Sequence, residues 1–315
     1  MDTFKNILLY SSAEKGAGPT FTKILELAKS HGGRVTIADV LEKTPSLQQR
    51  LFSSAAYAEA ARIAEAKIAK RLERLMVQAQ DRGVDVTSEV LSGNPFIELI
   101  RLAVHQKCDL VVKTARIGGG IRERLMGSTA LHLIRKCPVP VLVVQPKRRV
   151  RFTRILVPLD FRGEDSDESS VNTKMMEKAL SLAEFDNSQL HFFHAWRPYG
   201  VSLLSSGRSR MPRDKVREYV KSYEINHKEM FEEFLNRYSL GHLKPRVHFE
   251  RGDAASLIPE LATRKRINLV VMGSTYSSGL GGVFMGSTAE NVLGQIKCSV
   301  LTLKPEGFVT PVNVG

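Results

Sequence analysis

Residues Leu269–Thr288 read LVVMGSTYSSGLGGVFMGST, and this stretch decides the fold. Its opening run, Leu269-Val270-Val271-Met272, is continuously apolar, as expected of a strand buried on both faces. A turn rich in Gly and Ser follows. Gly286-Ser287-Thr288 then leads into Ala289-Glu290-Asn291-Val292-Leu293, which reads as helix. Strand, small-residue loop and helix start is an arrangement that holds phosphate. Glycine lets backbone approach an anion, hydroxyls donate to it, and the unpaired N–H groups of a helix start favour its charge. The stretch also occurs earlier in altered form, as LVVKTARIGGGIRERLMGST over Leu110–Thr129. The strand and Met126-Gly127-Ser128-Thr129 persist there, but Thr114 and Ile117 occupy the first loop positions.

The likeness extends well beyond this loop. A shift of 159 residues carries Gly93 onto Gly252, Ala103 onto Ala262, Leu110-Val111-Val112 onto Leu269-Val270-Val271, and Met126–Ala130 onto Met285–Ala289. The openings of the halves match at a shift of 148, Ile7-Leu8 onto Ile155-Leu156, so the second half gains about eleven residues early on. The chain is an internal duplication, with domains expected at 1–146 and 147–315.

Each half predicts the same order of elements. In the first, strands are expected near 7–10, 35–38, 84–91, 110–113 and 139–144. Helices are expected near 21–30, 54–81 and 95–105 and from about 127. In the second, strands are expected near 155–159, 189–195, 245–250, 269–272 and 299–303, with helices near 171–183, 214–237, 255–264 and 287–296. Arg162–Ser170 (RGEDSDESS) reads as an acidic loop and Arg197–Arg213 as a basic one. The interval from Gly127 to Cys137 is two residues shorter than that from Gly286 to Cys298, which predicts a shortened or re-registered fourth helix in the first half. Alternating strands and helices give an α/β fold with a parallel sheet covered on both faces. Ligands then sit beyond the carboxyl ends of the strands, at the switch point. If the first and fourth strands of the second half are neighbours, Asp160 and Gly273 flank that crevice.

Composition narrows the class. The 315 residues are 43% hydrophobic and 25% charged, enough for two cores, and no apolar run approaches a membrane span. The N-terminus lacks the pattern of a signal peptide, and Cys108, Cys137 and Cys298 lie far apart, so a reducing cytoplasm is expected. Cys137 and Cys298 read as buried small residues. The net charge is +13; 21 basic and 14 acidic residues put 1–146 at +7 and leave +6 for the rest. Lys147, Arg148, Arg149, Arg151 and Arg154 form the densest cluster. It reads as a solvated linker or as an attraction for phosphorylated ligands. Without interleaved aromatic residues it does not predict a specific nucleic-acid site.

Single residues have plainer readings beside the sharper ones. Gly286-Ser287-Thr288 can simply cap a helix, and Asp160 can be a loop acid. Lys113 reads as a sheet-edge lysine or as a contact for an acidic ligand. His191 and His194 share a strand but form no metal-ligand spacing, so no metal is expected. No Walker loop, GxSxG motif or acid–base pair is present, and nothing nominates a catalytic base. The expectation is a non-enzyme, with slow ATP hydrolysis left open.

At these residues the chain resembles the universal stress proteins, in particular tandem ones of the E type. That family's pattern is Gly-x-x-Gly, nine residues, then Gly-Ser/Thr, with an Asp closing the first strand. Here Gly273, Tyr276 in place of the second glycine, Gly286-Ser287 and the strand Ile155–Asp160 carry it, together with Lys136-Cys137 and Lys304-Pro305. The resemblance spans essentially the whole chain. It implies two tandem Rossmann-like domains of the adenine nucleotide alpha hydrolase-like kind, each a five-stranded parallel sheet in the order 3-2-1-4-5. It also implies pairing through the fifth strands inside the chain. By similarity, Asp160 would face an adenine, backbone near His194 and Ala195 would line the base, and Gly273, Gly286, Ser287 and Thr288 would hold ribose and phosphates. ATP or AMP is expected in the second domain only. In the first, Ser12 replaces the Asp, and Thr114 and Ile117 replace both early glycines. The function expected is a cytoplasmic stress-response protein binding an adenine nucleotide. The alternatives are a carrier or sensor of a lipid-like or other apolar ligand, or a scaffold without a nucleotide. A homodimer of the whole chain stays open.

Overall fold

A computed structural model describes residues 4–11, 17–42, 54–116, 126–161, 166–201, 211–274, 276–279 and 282–314. The chain falls into two compact units. The first holds residues up to Arg151 together with Ser274–Gly286 and Lys297–Gly315; the second holds Phe152–Gly273 and Ser287–Ile296.

In chain order the first half forms β1 (Asn6–Tyr10), α1 (Ala17–Ser30), β2 (Arg34–Glu42), α2 (Ser54–Gln80), β3 (Asp85–Gly93), α3 (Pro95–His105), β4 (Leu110–Thr114), α4 (Ser128–Lys136) and β5 (Val141–Val144). The second forms β6 (Arg154–Pro158), α5 (Ser166–Asp186), β7 (Gln189–Trp196), α6 (Arg213–Asn236), β8 (Arg246–Arg251), α7 (Ala254–Arg264) and β9 (Leu269–Gly273). It continues through β10 (Tyr276–Gly279), β11 (Gly282–Met285), α8 (Ser287–Gln295) and β12 (Ser299–Leu303).

The apolar runs become the inner strands. Leu8, Leu110, Val111 and Val112 of the first unit are fully buried, as are Leu156, Leu269, Val270 and Val271 of the second. Helices follow the spacing of their apolar residues. α1 buries Phe21, Ile24, Leu25, Leu27 and Ala28, one stripe at a period of 3.6. α3 opens on Pro95, whose missing N–H is one that a helix start leaves unpaired anyway.

The first unit's sheet runs β3-β2-β1-β4-β5, all parallel. β12 joins it antiparallel to β5, with Val300 opposite Val143 and Leu301 opposite Leu142. The two strands read as the fifth of each half are therefore paired. In the second unit the parallel order is β8-β7-β6-β9, the same winding through its first four strands. The edge strands β3 and β8 are largely solvent-exposed and carry charges along their length, which discourages pairing with other chains.

Four details depart from the sequence-based expectation. The Gly/Ser stretch after β9 is not an open turn, because β10 and β11 pair as an antiparallel hairpin with Tyr276 opposite Met285. The acidic segment read as loop to Ser170 enters α5 at Ser166. The fourth helix of the first half is not shortened, since α4 and α8 both have nine residues. The missing two residues come out of the link to the fifth strand: Cys137 caps α4 directly, while Ile296 and Lys297 separate α8 from Cys298. Finally, Lys113 is no sheet-edge lysine. β4 lies between β1 and β5, and Lys113 is 2% exposed.

Candidate nucleotide site and its counterpart

The second unit places Asp160, Ala195 and Gly273 at the carboxyl ends of three neighbouring strands. β6 pairs with β9 on one side, Leu156 opposite Val270, and with β7 on the other, Pro158 opposite Phe193. Continuing those registers, Asp160 is level with Ala195 and lies one residue beyond the level of Gly273. β6 is the strand at which the winding reverses, so these ends sit at the switch point where α/β sheets bind ligands.

α5 fixes this end of the unit. Asn172, itself buried, donates from Nδ2 to the Asp160 carbonyl at 2.6 Å, and its Oδ1 faces the Asp160 N–H at 3.4 Å. One residue earlier on α5, Val171 meets Gly273. A Cβ built there would stand 2.6 Å from Val171 Cγ1 and 3.6 Å from Met175 Sδ. Gly273 therefore has a packing reason, close approach of α5 to β9, that needs no ligand. Gly127 likewise has a conformational one. It caps α4 at φ +78°, where side chains are strained, so Gly127 has a reason to persist in the first half whether or not anything binds.

Ser287 and Thr288 open α8, the first exposed and the second half-buried. Ala289, Val292 and Leu293 bury the helix's other side, and α8 packs on α7. Gly286 immediately precedes Ser287 and is half-buried, but the boundary between the units falls between the two residues. Tyr276 stands at the start of the hairpin, in a segment that belongs to the first unit.

Beside Asp160 the sequence placed only backbone near His194. The structure puts a cluster of rings there. Buried His194 receives or donates at both nitrogens, Nδ1 to the Leu159 carbonyl at 3.0 Å and Nε2 to His227 Nδ1 at 2.9 Å. The carbonyl can only accept, so Nδ1 of His194 carries a proton and His227 donates to its Nε2. Phe161, next to Asp160, packs edge-on against His194 at 5.1 Å and Phe234 at 5.6 Å. His227 stacks on Tyr223 at 4.3 Å. No motif spacing links residues so far apart. The only signal is the density of aromatic and His residues along α6, which reads equally well as core.

His191, on the same strand, faces the opposite side of the sheet and joins His248, Nδ1 to Nε2 at 3.0 Å. Among the described residues no group of three or more His, Cys, Asp or Glu side chains could hold a metal.

The first unit's counterpart of the crevice is built differently. Ser11 is buried after β1, while Ser12 and Ile117 lie outside the described residues. Lys113 and Thr114 are buried at the end of β4, with Lys113 Nζ donating to the Thr114 carbonyl at 3.0 Å and lying 5.4 Å from the Tyr10 ring. On β2, buried Asp39 pairs with Arg71 of α2, and burial outweighs that partner and raises the carboxyl above its usual range. All three cysteines are buried free thiols; burial pushes Cys108 up to about 11 and Cys137 and Cys298 up to about 12.

Comparison with known proteins agrees with this architecture. The pattern of the universal stress protein family matches residues 3–145 and again 151–304. Universal stress protein E of Salmonella typhi is 26% identical over 236 residues, 74% of this chain and 73% of that one. Universal stress protein E of Photorhabdus laumondii is 22% identical and aligns over 99% of both chains. Among solved structures, a protein of unknown function from Pseudomonas aeruginosa superposes with a TM-score of 0.67 at 20% identity, covering 96% of this chain and 93% of its own. A universal stress protein from Archaeoglobus fulgidus reaches 0.64 at 17%, covering 97% and 98%. With the family pattern matched in both halves of one chain, this protein belongs to the universal stress protein family as a tandem member of the E type.

Proposed function

We propose that the protein is a non-catalytic, cytoplasmic stress-response protein of two domains, parting near residues 146 and 147, whose second domain binds an adenine nucleotide. The observation that carries this reading is the meeting of Asp160, Ala195 and Gly273 at the carboxyl ends of β6, β7 and β9, with Ser287 and Thr288 opening a helix of the same unit. Asp160 would accept from the adenine amino group, backbone at Ala195 would line the base, and the N–H groups and hydroxyls of Ser287 and Thr288, with Gly286 before them, would receive phosphate oxygens. The rings around His194 and Phe161 supply an apolar wall. The first domain is a scaffold in this reading, because Lys113, Thr114 and Tyr10 fill the equivalent strand ends.

The test is native mass spectrometry of the purified protein and of its organic extract, followed by calorimetric titration with ATP and AMP. Release of either nucleotide, with affinity falling at least about tenfold in Asp160→Ala combined with Gly286→Val, is the expected result. Unchanged affinity in that variant, or an amphiphile in the extract, would overturn it.

A further inference from the structure

The opposite pole of the second unit carries a feature that the nucleotide reading does not use. Arg154 begins β6, His191 is the third residue of β7, and Arg246 begins β8. His191 pairs directly with Arg246, and Leu156 with His191. Paired and alternate residues of parallel strands share a face, so Arg154, His191, Arg246 and His248 lie on one face at the strands' amino ends. α7 packs against β7 and ends there, where the Lys265 carbonyl lies 3.4 Å from Arg154 Nη1. Arg154, Arg246, Arg264 and Lys265 are all exposed. Two acids reach this group, both through Arg264: Glu250 at 2.6 Å and Glu260 at 3.6 Å.

Under these cations the two imidazoles stack with their planes 3° apart. His191 is 4% exposed, and its Nε2 is buried without a hydrogen-bond partner among the described residues. Burial, with the charges of Lys265, Arg154 and Arg246, pushes His191 down to about 4, and burial with Lys265, Arg264 and Arg246 lowers His248 against the opposing pull of Glu250. Arg154, Arg246 and Lys265 thus hold positive charge beside a pair that burial, reinforced by that charge, keeps neutral.

In the first unit the positions equivalent to Arg154, His191, Arg246 and Lys265 carry the uncharged side chains Asn6, Thr36, Thr87 and Gln106. Thr36 bonds to Thr87 at 3.2 Å and to Gln106 at 2.8 Å, and Asn6 donates to the Gln106 carbonyl at 2.6 Å. Asn6 and Gln106 stand where the second half has Arg154 and Lys265, at the shifts of 148 and 159 that relate the halves. The fold does not require cations here.

We infer that Arg154, Arg246 and Lys265, backed by the His191–His248 pair, form an anion site that takes a short chain of phosphate groups. Guanidinium groups receive phosphate oxygens bidentately and a lysine adds a point charge. Two features favour a bare oligophosphate over a nucleic acid: the pair's rings stack on each other, and no aromatic residue interleaves the basic side chains as a base platform. A bound phosphate chain offsets the field of Arg154, Arg246 and Lys265, and the neutral imidazoles beneath add no further charge.

The experiment is calorimetric titration of the full chain with sodium tripolyphosphate at low ionic strength. Binding weakens at least about tenfold in Arg154→Gln/Arg246→Gln/Lys265→Gln, because each charge-assisted hydrogen bond is worth roughly that factor. A second triple, Lys67→Gln/Lys70→Gln/Arg74→Gln on exposed positions of α2, removes the same charge and leaves binding unchanged. Gly286→Val retains the component of binding that the first triple removes, which separates this site from the proposed nucleotide site. Absence of tripolyphosphate binding, an equal loss in the α2 triple, a loss confined to Gly286→Val, or tighter binding of duplex DNA than of tripolyphosphate would each overturn the inference. Thermal melts of both triples confirm that they fold.

Discussion

The two halves share a fold and differ at both poles of their sheets. At the carboxyl pole, Lys113 and Thr114 of the first half stand where the second has Met272 and Gly273. At the amino pole, the uncharged side chains of Asn6, Thr36, Thr87 and Gln106 stand where the second half has Arg154, His191, Arg246 and Lys265. The apolar strands between the poles barely change. Duplicated domains keep what burial dictates and diverge where strands end, because side chains there face loops and solvent rather than a fixed partner.

The sharpest way to break the comparison at the carboxyl pole is to make the second half resemble the first. Gly273→Thr reproduces Thr114, but its Cβ would lie 2.6 Å from Val171 Cγ1. The clash should destabilise the second unit by about 2–3 kcal/mol, as overpacking does in well-packed interiors. Denaturant unfolding measures it, and Val171→Ala in the same chain should restore about half of the loss. Equal loss with and without Val171→Ala would mean that α5 is not what demands the glycine.

Next in size is Lys304, the counterpart of Gln145 at the 159-residue shift. Its Nζ is buried without a hydrogen-bond partner among the described residues, 4.6 Å from the Phe308 ring, and burial pushes it down to about 8. A lysine lowered on folding costs stability while the unfolded chain still holds its proton. Stability should therefore rise as pH climbs from about 8 toward the unfolded value near 10.5. Lys304→Met should flatten that rise and increase Tm at neutral pH by about 2–5 °C. A variant that melts lower at neutral pH would show that the ammonium has a compensating partner.

Much of this fold was legible in the residues. Continuous runs such as Leu269–Met272 and the shift of 159 announced a duplicated α/β fold with parallel strands, and the family resemblance implied the order 3-2-1-4-5 that the first unit shows. The hairpin at Tyr276–Met285 was not legible, because Gly and Ser suit turns as well as strand ends. Nor was the start of α5, where Ser166-Asp167-Glu168 has a loop's polarity and equally the composition of a helix start. Of the site, the strand-end positions were readable and their neighbours were not. Asn172 and Val171 act through three-dimensional packing, and both histidine pairs join residues more than thirty positions apart.

The smallest effect tests the amino pole through pH. His191 and His248 are both lowered on folding, so the unfolded chain binds more protons below its own value near 6.5. Their contribution to stability is complete above that value and is lost as pH falls toward about 4, the folded value of His191. Replacing His191 by the first half's residue, His191→Thr, removes the imidazole that must be charged. The melting temperature of the variant should then fall less steeply between about pH 6.5 and pH 4 than that of the parent, even where the cavity left by the smaller side chain lowers it throughout. The slope rather than the absolute value carries the test. A parent and variant with parallel pH profiles would show that the acid sensitivity does not come from His191.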